Sequence, residues 1–448
     1  MNSPEHPLIF GAVADDDTGA SDLAGMLTDC GVRTLLVIDV PDASAMAEAA
    51  PGYQAVVIAV GTRSVAVEQA GLRTREALHA LRPLRPRRLY LKYCSTFDST
   101  PQGNIGPAIE TALDEIGETF TVAVPALPVS GRTTYMGYHF VHDRLLSDSP
   151  MRNHPLNPMT QPDLVEFLGR QTRLPVGLAP YPAVEAGPGA LRAHLERLKH
   201  QGKAIAVVDC LNDGHLGIIA EAVSDLTFTT GSSALAMKFP TLWKRAGWLT
   251  EDSDFRRFTP PEAVKAGVLL VAGSCSPATR AQNEWLRTAG TKVLRLDAKL
   301  AASGELDLDR LAAEAERELA AQRDCLISVS SDEEEVRQAQ QWAARRSWDA
   351  ATLGVQILKA VAELAARVAS TGRVRGWVFA GGETAGYCCR HLGLGPFRVG
   401  RSIEPGVPLC YSLARRMPVV LKSGNFGGHD FYGRALGAMA NPKQYYFD

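Results

Sequence analysis

Short apolar, β-branched runs alternate along nearly the whole chain with stretches of helical periodicity, and this alternation constrains the fold more than any other feature. A strand that returns parallel to its predecessor needs a crossover, usually a helix. The pattern therefore predicts an α/β protein of two domains, each a mostly parallel sheet with flanking helices. The first series of runs is Leu8 to Val13, Thr34 to Val37, Ala55 to Val60, Arg88 to Cys94, Thr121 to Pro125 and Ala204 to Asp209. The series restarts with Gly267 to Gly273, Lys292 to Asp297, Cys325 to Ser330, Gly376 to Gly382 and Pro418 to Gly424, which predicts a second sheet. Lys238 to Ala266 carries Pro-Pro and mixed charge without a sustained period, so it holds the boundary. The expected domains are 1–240 and 266–448, joined by a linker over 241–265. A length of 448 residues accommodates them.

Leu306 to Gln322 and Leu353 to Ser370 read as the longest helices. The second places Leu353, Ile357, Val361, Leu364 and Val368 on one face, which burial on a sheet would explain. Met136 to Arg170 breaks the alternation as a long irregular insert, of the kind that forms a binding loop, a lid or an oligomer contact.

Charge and cysteine usage exclude several classes. Lys and Arg number 47 against 49 Asp and Glu, a net charge of −2, so the basic footprint of a nucleic-acid binder is missing and any anion must be captured locally. No run approaches the 18 apolar residues of a membrane span, and MNSPEHPLIF lacks the basic and apolar regions of a secretory signal. A cytoplasmic protein with no membrane partner is expected. The eight cysteines include no C-x-x-C, which predicts reduced thiols, with Cys388 and Cys389 read as small core residues. His139 and His142 are the one close histidine pair, too little for a zinc site.

The candidate chemistry lies at strand ends. The first run leads into Ala14-Asp15-Asp16-Asp17-Thr18-Gly19-Ala20, where carboxylates can hold a metal, bind hydroxyls or accept a proton; an aspartate there can equally cap the next helix. A second polar end, Lys92-Tyr93-Cys94-Ser95-Thr96-Phe97-Asp98-Ser99-Thr100, is followed by Gly103-Asn104-Ile105-Gly106 at an apparent helix start. A cation, hydroxyls and a carboxylate beside a glycine turn suit a small polyol with a negative group, although such a loop can also satisfy its own backbone. Arg132 is a candidate carboxylate clamp because its guanidinium offers a bidentate fork.

The second half holds three glycine-bearing ends: Gly273-Ser274-Cys275-Ser276-Pro277, Gly381-Gly382-Glu383-Thr384 and Ser423-Gly424-Asn425-Phe426-Gly427. The first two precede helical sequence, so free helix N–H groups would point at a common crevice, a phosphate site without a P-loop. Neither G-x-x-x-x-G-K-[ST] nor a strand-to-helix G-x-G-x-x-G occurs, which counts against P-loop and dinucleotide folds.

Taken together, these motifs resemble the four-carbon acid sugar kinases, and within them the 3-oxo-tetronate branch. The general likeness rests on ADD-x-TGA from Ala14, on GGET from Gly381 and on SGNFG from Ser423. The branch is suggested by Tyr93 to Gly106, by PALPVSGRT at Pro125 to Thr133 and by HPLNPM at His154 to Met159. The resemblance implies an active site in an interdomain cleft, with the acid on the first domain and ATP with Mg²⁺ on the second. Asp16 and Asp98 would be catalytic. Asp15, Lys92, Ser95, Thr96, Arg132 and His154 would bind the acid. Ser274, Ser276, Gly381, Gly382, Glu383, Thr384, Gly424 and Asn425 would bind ATP. The implied reaction is phosphorylation of the 4-hydroxyl of a 3-oxo-tetronate; metal ligands stay unassigned and a homodimer stays open. Asp17 stands where the family usually has Phe or Leu, and Pro150 where Gly is usual. The alternatives are a kinase for threonate, erythronate or a branched apionate, a non-catalytic sensor of acid sugar and nucleotide, and an NAD(P)-dependent oxidoreductase, the last disfavoured by the missing dinucleotide fingerprint.

Overall fold

The computed structural model describes residues 8–99, 103–153, 157–249, 258, 260, 264–329 and 331–446. Tertiary contacts divide the chain into Met1–Asp252 and Ser253–Asp448.

In the first unit the strands are β1 Phe10–Ala14, β2 Thr34–Ile38, β3 Ala55–Ala59, β4 Arg88–Lys92, β5 Thr121–Val124, β6 Arg132–Tyr135, β7 Tyr138–Val141, β8 Arg144–Leu145, β9 Val176–Ala179, β10 Ile205–Val208 and β11 Phe228–Gly231. The main sheet has the order β2-β3-β1-β4-β11-β5-β10-β9 and its strand pairs are parallel. β1, β2 and β3 are buried at every position, which is why they read as unbroken apolar runs without alternation. β1 has β3 on one side and β4 on the other, so the connections diverge there and leave a crevice at the carboxyl ends of these strands.

The insert over 136–170 is more ordered than expected. β6, β7 and β8 form a small antiparallel sheet, turned between β6 and β7 by Met136 and Gly137, both at positive φ as a two-residue hairpin requires. The buried Asp209 carboxylate after β10 anchors that turn, accepting the N–H groups of Met136 (2.5 Å), Gly137 (2.9 Å) and Tyr181 (2.7 Å). Pro150 opens a short 3₁₀ turn. The stretch assigned to a linker also begins inside an element: helix Phe239–Arg245 buries Trp243, whose ring lies 5.4 Å from Phe10 at the start of β1.

In the second unit the strands are β12 Val268–Ala272, β13 Lys292–Arg295, β14 Cys325–Ser328, β15 Gly376–Ala380, β16 Phe397–Glu404, β17 Val407–Ser412 and β18 Met417–Lys422. Their order is β13-β14-β12-β15-β18-β17-β16, parallel from β13 to β18 and antiparallel beyond. The strands bearing the three glycine loops, β12, β15 and β18, are therefore neighbours. Helix Ala350–Ser370 buries Leu353, Val361, Leu364 and Val368, but it packs chiefly on helices Ala298–Ser303, Leu308–Ala320 and Gly382–Leu392 rather than on the sheet. No helix among the described residues is long and apolar enough to cross a membrane.

Candidate active site

Asp16 follows β1 in extended conformation and caps helix Asp17–Asp29, accepting Gly19 N–H at 3.0 Å and the Thr18 hydroxyl at 2.8 Å. The capping role and the chemical role weighed for this aspartate thus coincide in one side chain. Arg63, in the loop after β3, grips Asp15 with two hydrogen bonds of 2.9 and 3.0 Å and Asp16 with one of 2.6 Å. Lys92 Nζ, at the end of β4, lies 3.9 Å from Asp16 Oδ1. Gly19 makes room for that ammonium, since a Cβ there would sit 2.1 Å from Nζ and 2.2 Å from Asp16 Oδ1.

The two adjacent carboxyls are driven apart. Burial pushes Asp15 up, and the attraction of Arg63 offsets only part of that. Burial also acts on Asp16, but Arg63, Lys92 and the hydrogen bonds from Thr18 and Gly19 together outweigh it and hold Asp16 below the usual aspartate value. Asp16 is the more readily ionised of the two. Asp17, the departure from the family pattern, is buried in the first helical turn. Asp22 is buried one turn further on, accepts the Ser233 hydroxyl at 2.6 Å and is pushed up by burial.

A pocket opens at this strand edge, lined among others by Asp15, Thr62, Arg63, Lys92, Asp98 and Asn104. Asn104 Nδ2 donates to the carbonyls of Thr62 (2.5 Å) and Val65 (2.9 Å), tying the start of helix Ile105–Ile116 to the loop that carries Arg63. Ser95 and Arg132 do not line that pocket. The Ser95 carbonyl accepts from His139 Nε2 at 2.8 Å, and His139 is wholly buried, pushed down to about 4 by burial and by nearby Arg132. Arg132 Nη1 donates to Ser130 O, while its buried Nε has no hydrogen-bond partner among the described residues. Thr96 is buried with its hydroxyl 3.0 Å from Cys94 Sγ. His154 lies outside the described residues. Sequence reading missed Arg63, for which the available signal was the polar end Gly61-Thr62-Arg63-Ser64 after the third apolar run; it included Asn104 in the glycine turn without giving it a role.

In the second unit the three glycine loops meet. A Cβ on Gly424 would come within 2.2 Å of Ser274 Oγ, one on Gly273 within 2.2 Å of Thr384 Oγ1, and one on Gly381 within 3.1 Å of Ser274 N. Gly381, at φ +121°, begins helix Gly382–Leu392 without a side-chain cap, so that helix start offers its N–H groups to an anion. The other helix start differs from expectation. Ser276 caps helix Pro277–Thr288 through Thr279 N–H at 3.2 Å and gives its own proton to Gly424 O at 2.6 Å, so it is already engaged. Glu383, Asn425 and the free thiol of Cys275 are exposed on the same loops. Among the described residues no group of three or more His, Cys, Asp or Glu side chains could hold a metal ion.

Carboxylates locked to cations on one sheet and an uncapped, glycine-lined helix start on another match two family models. One, a sugar-binding N-terminal domain, covers residues 10–239; the other, a nucleotide-binding C-terminal domain, covers 269–432. The chain is thus a two-domain protein of the sugar- and nucleotide-binding class. A Pseudomonas fluorescens protein named 3-oxo-tetronate kinase is 41% identical over 96% of this chain and 97% of its own. A Methylobacterium radiotolerans protein of the same name is 42% identical over 97% and 100%. A crystallised Salmonella typhimurium protein, described as a tRNA synthase, superposes with a TM-score of 0.80 at 34% identity over 96% of this chain and 98% of that one. A Haemophilus influenzae crystal structure gives 0.73 at 33% identity, covering 96% and 100%. The chain belongs to the four-carbon acid sugar kinase family.

Proposed function

We propose that this chain transfers the γ-phosphoryl group of ATP to the 4-hydroxyl of a 3-oxo-tetronate. The observation that carries the reading is the near full-length likeness to the Pseudomonas and Methylobacterium 3-oxo-tetronate kinases. The acid sits on the first unit, over residues 1–240, and ATP on the second, over 266–448. Phosphoryl transfer asks a protein mainly for positioning and charge neutralisation. Asp16, kept ionised by Arg63 and Lys92, orients the attacking hydroxyl and takes its proton, with Asp98 the second candidate. Lys92 meets the substrate carboxylate in the pocket; Arg132, which lies outside that lining, is the second candidate for it, and Asp15, Ser95, Thr96 and His154 complete the acid-binding set.

Gly381, Gly382 and Thr384 cradle phosphate at the uncapped helix start, and Ser274, Ser276, Gly424 and Asn425 border it. Glu383 is the one carboxylate on the three loops, exposed at the phosphate cradle, and it fits a cation that prefers oxygen ligands. Mg²⁺ held there with the phosphates would neutralise charge on the transferring group.

A coupled assay of ADP release, run with 3-oxo-tetronates, threonate, erythronate and a branched apionate, tests the reading. Turnover with the 3-oxo acids at a kcat/KM at least tenfold above the others is expected. Preference for another acid would overturn the substrate, and binding of acid and ATP without ADP release would overturn the kinase.

A further inference from the structure

The chain turns its carbonyls inward after β18. Lys422, at the end of that strand, is wholly buried, and its Nζ lies 2.9 Å from Ser423 O, 3.0 Å from Gly424 O, 3.1 Å from Phe426 O and 3.2 Å from Thr279 Oγ1. Gln282, buried on helix Pro277–Thr288, adds three more contacts: its Nε2 donates to the carbonyls of Phe426, Gly427 and Gly428 at 2.9 to 3.0 Å. Five of the six carbonyls from Ser423 to Gly428 are thus gathered on one buried ammonium and one buried amide.

A planar trans peptide fixes the consequence, because the N–H of each unit points opposite to its C=O. With the carbonyls of Ser423, Gly424 and Phe426 drawn in, the N–H groups of Gly424, Asn425 and Gly427 are turned out. None of the three donates to a partner among the described residues. The next N–H, of Gly428, is taken by Glu404 Oε2 at 3.0 Å. Between them the N–H of Phe426 turns back to Ser423 O at 3.2 Å, so the adjacent outward pair, of Gly424 and Asn425, makes the anion-binding concavity and Gly427 borders it. Close packing of Gly424 on Ser274, and of Gly381 on the Ser274 backbone, sets this concavity beside the uncapped start of helix Gly382–Leu392.

We infer that Lys422 and Gln282 are positioning residues of the nucleotide site, holding loop 423–428 from beneath so that its outward N–H groups bind a phosphate of ATP. The inference rests on the kinase reading of this unit. It also carries a pH signature. Burial pulls Lys422 down to about 8 against the opposing attraction of Glu404, the charged group that acts on it among the described residues, which is itself paired with Arg434 at 3.1 Å. Below that pH an ammonium serves the carbonyls; above it a neutral amine has fewer donors and no charge, and the loop loosens.

The test uses the full chain, its Lys422→Met and Gln282→Leu variants, ATP titrations by calorimetry without acid, and steady-state kinetics from pH 6.5 to 9.5. For Lys422→Met the KM and Kd for ATP should rise at least tenfold while the KM for the acid stays within twofold; Gln282→Leu should shift ATP in the same direction by a smaller factor. In the unaltered chain KM for ATP should climb several-fold as pH passes about 8, and this climb should be missing from Lys422→Met. Wild-type ATP affinity in both variants, an equal rise in both KM values, or a flat pH profile in the unaltered chain would each overturn the inference. The pH series needs no variant, so a variant that misfolds leaves the test intact. ATP binding by the unaltered chain that weakens as described, with no acid turned over, would keep the inference and overturn the proposed function.

Discussion

Asp15 and Asp16 share one guanidinium unequally in kind: two hydrogen bonds go to Asp15, whose burial still dominates, and one to Asp16, which Lys92 and two helix-cap hydrogen bonds also support. Replacing Asp16 by Asn keeps shape and removes basicity, so kcat should fall by about 10²–10⁴-fold, the usual worth of a general base. Arg63→Met should behave differently. It leaves two adjacent carboxyls short of their counter-charge, so it should cost about 3 kcal/mol of stability by urea denaturation as well as activity. If Arg63→Met loses activity with an unchanged urea midpoint, the arginine serves substrate rather than the aspartates. The sequence singled out Asp16 among three carboxylates in a row at a strand end, with a helix cap as the equal alternative, and the cap is what the structure shows. Arg63 was not legible in it. A single arginine in a polar loop carries no local signal, and only the pairing of β3 beside β1 brings it to Asp15.

At the level of elements, the buried parallel strands were legible because burial on both faces writes them as continuous apolar runs. β11 was not, since Phe-Thr-Thr-Gly looks like a turn until neighbours on both sides pair with it. The β16–β17 hairpin escaped because it breaks the strand-helix alternation and its register shifts twice, between Val399 and Ser402 and between Ser402 and Glu404. The glycine loops were read as a set; Gly424 is not at positive φ, and the loop after β12 packs directly on it. Gly424→Ala should therefore raise KM for ATP about tenfold, and adding Ser274→Gly should recover most of that loss, a coupling that a double-mutant cycle measures. Additive effects of the two changes would contradict the close packing.

For the whole molecule, the proposed function gives the two units separable duties. Hydrogen exchange should show ATP protecting residues 273–277, 381–386 and 423–428 while leaving 14–22 unchanged, and the acid should protect 14–22 and 92–99 while leaving the second unit unchanged. Protection of the first set by the acid alone would refute that division. The expected boundary rests on a change of pattern, which gives no sign of helix Phe239–Arg245, because the burial of that helix depends on Phe10, more than two hundred residues away. None of the eight cysteines forms a disulfide, and Cys275 is the exposed one. Lying between Ser274 and Ser276, it would serve under the proposed function as a built-in chemical reporter of nucleotide occupancy. Its alkylation by iodoacetamide, followed by peptide mass spectrometry, should slow several-fold when ATP is added and stay constant when only the acid is present. The thiol would then report which of the two ligands has bound in a mixture where turnover hides the order.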